Sequence, residues 1–414
     1  MGNFFRYSSF FPAGAIPLAA VRYVPAWQSR LRKSTFGIMI EIGDLMEPSR
    51  ILRIAFLFLA FSSCQKAPSK IGVAMVLTGL NSEIGVSGRN AVQLAVDEMN
   101  AEGGARGRKI ELIIRDDGSD SERALAVDEE LRAKGAVAII GHMISASGAL
   151  AVKAATGMEF PIISPTISSS DYVGKDDYLF RVLGDSGMQG NVLAGYAYKE
   201  MKLRRIATLF ESTNRSYTAS VETAFRKEFE SLGGTVLPAI AFPSGIGFDL
   251  NPIADALRKT DCDGVLSVAG AADNAALCAL LEKKGSGLPV FAGMWSMTPD
   301  LIQLGGRSAD RIIISGLMDS DSASPSYRRF VDGYEKRFGF PPTFASLYSY
   351  EAARYLVAAI EKSRSLRGKD IKEAMLSLGQ FEGLQDSFTL DRFGDPDRSF
   401  SVFGVRDGRF VKIK

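Results

Sequence analysis

Residues 136–170 read AVAIIGHMISASGALAVKAATGMEFPIISPTISSS. Two apolar runs, 137–140 and 161–163, each lead into hydroxyl side chains: Ser145 and Ser147 after the first, and Ser164, Thr166, Ser168, Ser169 and Ser170 after the second. The small-residue stretch between them reads as a helix. Strand, helix, strand with hydroxyls at both strand exits describes a parallel α/β sheet, and such sheets hold ligands outside the carboxyl ends of their strands. Ser145 and Ser147 also fall at the start of the helix, where unpaired N–H groups and the helix dipole favour an anion. The stretch predicts a grip for an acidic group.

The same alternation extends in both directions. Upstream, IGVAMVL (71–77) and KIELIIRDD (109–117) read as buried strands. Between them, Val92, Ala95, Val96 and Met99 recur at helical spacing before Gly103 and Gly104, and SERALAVDEELRAKG (121–135) is a second helix. Downstream of FRVLGDSG (180–187) a second series begins. NVLAGYAYKEM (191–201) is helical, RRIATLFE (204–211) a strand, and YTASVETAFRKEFESLGG (217–234) a long helix. TVLPAIAF (235–242), DCDGVLSVAG (261–270), LPVFAGMW (288–295) and RIIISGLMD (311–319) are further strands, with helices at 251–259 and 274–285. Segments 325–342 and 344–363 are helical, and FTLD (388–391) with SVFGVRDGRFVKI (401–413) forms a hairpin about Asp407-Gly408. The inventory is α/β, with two doubly wound parallel-sheet units and a chain that crosses between them near 184–190 and 316–324.

Composition narrows the function. Of 414 residues, 46% are hydrophobic and 23% charged, with 49 basic against 47 acidic residues and no basic block, so nucleic acid is not an expected partner. One histidine and three cysteines leave little for a metal site or a disulfide framework, and no cofactor is expected. His142 reads as a structural residue at a strand exit, without a paired acid at catalytic spacing. Asp116, Asp117 and Asp120 read as solvated loop acids, and Cys262 and Cys278 as free thiols. With no nucleophile–base pair or phosphate loop, an enzyme is not expected.

The N-terminus has its own pattern. Residues 1–40 hold no Asp or Glu, and 1–45 reads as an over-called upstream extension ahead of Met46 or as a disordered segment. MEPSRILRIAFLFLAFSSC (46–64) then has Arg50 and Arg53 before an apolar run at 54–61, too short for a span of about 20 residues. Residues 46–63 are therefore read as a signal peptide. Cys64 after two serines resembles a bacterial lipobox, with Phe61 at the position where that motif has Leu. This implies a lipid anchor on Cys64, a tether over 64–69, and a periplasmic or cell-surface location.

Taken together, IGVAMVLTG, NAEGGARGRKIEL, RDDGSD, VAIIGHMISASG, FPIISPTISSSD, FRVLGDSGMQG, GLPVFAGMW and YEKRFGFPPTFASLYSYEAARYL resemble the type I periplasmic binding proteins of the leucine/isoleucine/valine-binding class. The resemblance covers 70–414 and implies two lobes joined by a multi-strand hinge. The N-terminal lobe is expected at 70–187, the C-terminal lobe at 188–316, with 317–385 returning to the first and 386–414 to the second. It implies a solute-binding lipoprotein that serves an ABC permease and traps a small carboxylate, either an amino acid or an aromatic or aliphatic acid. The same fold also serves ligand-sensing receptors and regulators, which is the alternative reading. By resemblance, Ser145 and Ser168, with backbone around Ile167, clamp the ligand carboxylate, and Tyr217 covers it. At the position where amino-acid binders carry the acid for the ligand ammonium stands Trp295, and Ile84 replaces an aromatic before Gly85. Asp273 and Glu211 are the substitute acids.

Overall fold

The computed structural model describes residues 67–414 apart from Leu80 and Ile246. Cys64, the signal segment and the upstream extension lie outside the described residues. The first sheet is built from β1 (Ser69–Met75), β2 (Ile110–Asp116), β3 (Ile139–Gly141), β4 (Ile162–Ser164) and β5 (Leu179–Arg181), all parallel in the order β2-β1-β3-β4-β5. Helices α1 (Ser82–Ala101), α2 (Ser121–Ala133) and α3 (Gly148–Gly157) make its crossovers. The periodic face of α1, including Ala91, Val92, Ala95 and Val96, is buried. Asp120 caps α2 by accepting the Arg123 N–H at 2.8 Å.

After β5 the chain enters α4 (Ser186–Gly195), which runs into a π-type turn at Tyr196–Glu200. The second sheet follows: β6 (Arg205–Glu211), α5 (Arg215–Ser231), β7 (Thr235–Val236), β8 (Ile240–Phe242), α6 (Asn251–Lys259), β9 (Gly264–Val268), α7 (Ala271–Lys283), β10 (Val290–Ala292), α8 (Pro299–Gly305) and β11 (Ile312–Gly316). Helices α4 and α5 pack closely, and a Cβ at Gly190 would stand 2.3 Å from the Val221 carbonyl oxygen. Only glycine allows that approach.

Beyond β11, helices α9 (Pro325–Phe338) and α10 (Phe344–Lys362) lie against α1 beside the first sheet, and α11 (Gly368–Leu376) packs on α10. The chain then returns to the second sheet as β14 (Ser401–Arg406) and β15 (Arg409–Lys412), giving the order β15-β14-β11-β10-β9-β6-β7 with β8 on β6. Asp407 (φ 49°) and Gly408 (φ 68°) both take left-handed conformations, as a two-residue hairpin turn requires.

Two strand expectations need correction. TVLPAIAF is two short pieces, β7 and β8, because Pro238 has no N–H to give the ladder. FTLD takes no part in the terminal hairpin. Its first residue ends β13 (Ser387–Phe388), which pairs with β12 (Phe381–Glu382) in a separate ribbon. Here the aromatic pairing of Phe381 and Phe388 with Tyr355 of α10 fixes the partner.

Candidate functional site: a cleft between two sheets

The carboxyl ends of strands from both sheets face one cavity. From the first sheet come Met143, Ile144 and Ser145 after β3, Thr166 and Ser168 after β4, and Leu183 after β5. From the second come Asn214 and Tyr217 after β6, and Met294 and Trp295 after β10. Gln189 of α4, Ile84 of α1 and Phe344 at the start of α10 complete the lining. The mix of apolar walls with a few polar groups suits a small organic ligand.

The serine loops are tightly ordered. Ser164 Oγ donates to the His142 carbonyl at 2.6 Å and accepts the Ile167 N–H at 2.9 Å. Ser145 Oγ accepts the N–H groups of Ser168 (3.2 Å) and Ser169 (3.3 Å), so its lone pairs are engaged and its proton is left to donate. The Tyr172 hydroxyl donates to the Ser145 carbonyl at 2.7 Å. Ser168 Oγ is buried and has no partner among the described residues. Ser147 stands at the N-cap position of α3 as expected, but its side chain caps no N–H group: Ser147 Oγ donates back to the Ile144 carbonyl at 3.0 Å.

On the opposite wall, Tyr217 and Trp295 meet edge to face with ring centroids 6.1 Å apart. The Tyr217 hydroxyl is buried, which raises its pKa, and donates to Gln189 Oε1 at 3.0 Å. Gln189 Oε1 also accepts the Met294 N–H at 2.9 Å.

Of the residues singled out by sequence, Ser145, Ser168, Tyr217 and Trp295 converge on the cavity. Ile167 does not line it: its side chain is in the core and its N–H is taken by Ser164. Asp273 lies off the cavity on α7, where it accepts from Ser244 Oγ at 2.7 Å. Burial, with Glu211 nearby, pushes the Asp273 carboxyl up. Glu211 accepts the N–H groups of Thr213 (2.6 Å) and Asn214 (2.9 Å) ahead of α5 and does not line the cavity either.

His142 and the acidic loop also need correction. Asp117 is a buried partner of His142 rather than a solvated acid, with Nδ1 at 2.7 Å, and Asp128 of α2 stands 3.2 Å from Nε2. Burial works against a charged ring, but the Asp128 and Asp117 carboxylates outweigh it and hold the imidazole up to about 10. A doubly held imidazolium thus underlies the strand exit that carries Ser145. Asp116 accepts the Leu77 N–H and pairs with Arg123, and only Asp120 keeps a simple surface role, as a cap. Cys262 and Cys278 are free thiols.

Sequence reading missed Gln189, Met143, Ile144, Leu183, Asn214, Met294 and Phe344. Each is a single polar or apolar side chain beside a helix or strand end, a signal that many other positions share.

Two parallel-rich α/β halves with a ligand-sized cleft at their strand ends define the type I binding-protein architecture. Residues 68–409 match the periplasmic binding protein family, and the chain belongs to it. A Leu/Ile/Val-binding protein homolog from Brucella suis is 26% identical over 361 residues, covering 82% of this chain and 90% of that protein. The leucine-binding protein of Thermotoga maritima superimposes with a TM-score of 0.77 at 23% identity, over 84% of this chain and 98% of that one. A Rhodopseudomonas palustris solute-binding protein of an ABC transporter, in complex with 3,4-dihydroxybenzoic acid, superimposes with a TM-score of 0.76 at 20% identity, over 84% and 96%. Among the described residues no helix is long and apolar enough to cross a membrane.

Proposed function

We propose that the protein is an extracytoplasmic solute-binding lipoprotein of an ABC importer, which traps a small carboxylate between two lobes and delivers it to a permease. The lobes are 70–187 with 317–385 and 188–316 with 386–414, and the lipid sits on Cys64. The observation that carries the ligand class is the Ser145–Ser168 pair. One hydroxyl keeps a free proton, the other is buried without a partner, and both line the cavity. Two such donors fit the two oxygens of a carboxylate. The Brucella and Thermotoga relatives are named for aliphatic amino acids and the Rhodopseudomonas protein holds an aromatic acid, so a carboxylate is the feature their ligands share.

Calorimetric titration with a panel of amino acids, aromatic acids and aliphatic acids tests this. Ser145→Ala and Ser168→Ala should each weaken binding about 10–100-fold, as expected for one hydrogen bond to a charged group. Unchanged affinity in both variants rules out the clamp. Cys64→Ser should move the protein from the membrane fraction to the soluble extracytoplasmic fraction.

A further inference from the structure

We propose that the cleft selects carboxylic acids without an amino group, and that the Gln189 side-chain amide reads an oxygen acceptor on the ligand body. The proposal rests on the carboxylate-binding reading above and narrows it.

The first observation is the charge of the wall. All thirteen lining residues are neutral at physiological pH. The two acids singled out by sequence as substitutes are committed elsewhere, Glu211 to backbone N–H groups ahead of α5 and Asp273 to Ser244. An ammonium entering this cavity leaves water and meets no carboxylate, which is strongly unfavourable.

The second observation is the sense of the unmatched polar group. Gln189 has no solvent exposure, and its Oε1 faces the Met294 N–H and the Tyr217 hydroxyl. A backbone N–H can only donate, so the amide oxygen must lie on that side, which fixes the amide orientation chemically. Nε2 is left buried with no partner among the described residues. An ammonium, itself only a donor, cannot satisfy it. A hydroxyl or carbonyl oxygen can. The site therefore disfavours an α-amino group and favours an oxygen acceptor.

The third is the shape of the remaining wall. Trp295, Tyr217, Ile84, Met143 and Leu183 offer flat and branched apolar surface to the ligand body. The chemical class is thus an amino-free acid with an apolar body that carries an oxygen.

The test uses matched pairs that differ only in the amino group, titrated into the purified Cys64→Ser protein: phenylalanine against 3-phenylpropanoate, tyrosine against 3-(4-hydroxyphenyl)propanoate, and leucine against 4-methylpentanoate. The amino-free partner should bind at least about 100-fold more tightly in each pair that binds. The phenolic acid should exceed its unsubstituted counterpart about 10-fold, and Gln189→Leu should abolish that difference. Gln189→Glu keeps the shape, adds a negative charge, and should shift preference toward the amino acids. If the amino acid binds as tightly as its amino-free partner in wild type, the inference is overturned while carboxylate binding stands. If no carboxylate of either kind binds, both fall.

Discussion

Asn214 reaches across the cleft to Ala146: its Oδ1 accepts the Ala146 N–H at 3.2 Å, joining the start of α5 to the loop after β3. A second cluster lies beside it. Ser169 Oγ donates to the Ser216 carbonyl at 2.8 Å, Ser216 Oγ lies 2.9 Å from Asp171 Oδ2, and the Ser170 N–H meets Ser220 Oγ at 3.2 Å. Arg181, buried and paired with Asp395, steadies this loop through the Ser169 carbonyl at 3.1 Å. These bonds join the two halves of the molecule. A ligand that binds the closed form gains whatever stabilises that form. Asn214→Ala removes about 1 kcal/mol of closure and should weaken ligand binding about fivefold, mainly through faster release. Stopped-flow dissociation rates check this, and an unchanged off-rate rejects the latch.

His142 predicts a pH dependence of stability. Its folded pKa, about 10, is above the 6.5 of the free side chain. The charged ring is therefore favoured by folding. That contribution is fully present below about 6.5 and is lost as pH rises through 10. Wild-type stability should fall between those limits in urea melts. His142→Gln leaves Asp117 and Asp128 buried without the cation, so it should cost about 3–5 kcal/mol at pH 6 and lack the alkaline slope. An equally steep alkaline slope in the variant would remove His142 as its source.

Much of this architecture was legible because most strands are short, largely apolar runs, several of them ending in Gly, Ser or Asp, as at Ile139–Gly141 and Ile162–Ser164. The serines of the cleft were legible for the same reason, since strand exits set their place. Gln189, Met294 and Phe344 were not, because each comes from a different element and only the packing of those elements brings them together. His142 was read correctly as structural, but its partners were missed. Asp117 follows β2, 25 residues before His142, and Asp128 sits on α2, 14 residues before it, so only the crossover geometry shows that both face one ring.

Arg398 and Glu351 pair at 2.7 Å, each about 1% exposed, and tie the segment before β14 to α10. Arg398 also lies 4.1 Å from the centre of the Phe388 ring, and Glu351 accepts the Leu384 N–H at 2.6 Å. Removing one partner leaves the other charged and enclosed. Arg398→Met should cost about 3–5 kcal/mol in urea unfolding, whereas Glu351→Leu with Arg398→Met should recover most of that loss. Additive losses in the double variant would show that the residues act separately.

Glu83 of α1, in the first half of the molecule, faces Thr298 and Asp300 at the start of α8 in the second. Burial foremost, and the Asp300 charge next, push its carboxyl from 4.5 up to about 7, against the pull of the Thr298 hydroxyl. A raised acid favours the protonated form in the folded, closed state. Below about 4.5 both states are protonated and nothing is lost. Between 4.5 and 7 the unfolded chain ionises while the folded chain holds its proton, so stability falls as pH rises and then levels above 7. Glu83→Gln should remove that slope and leave the protein roughly 1–2 kcal/mol more stable than wild type at pH 8, a figure discounted for partial exposure. If the proposed lobe opening separates Glu83 from Asp300, closure takes up a proton and wild-type ligand affinity should decline as pH rises from 4.5 to 7. Glu83→Gln should flatten that decline as well. Paired urea melts and ligand titrations from pH 4.5 to 8 read both effects, and parallel wild-type and variant profiles would remove Glu83 from the closing mechanism.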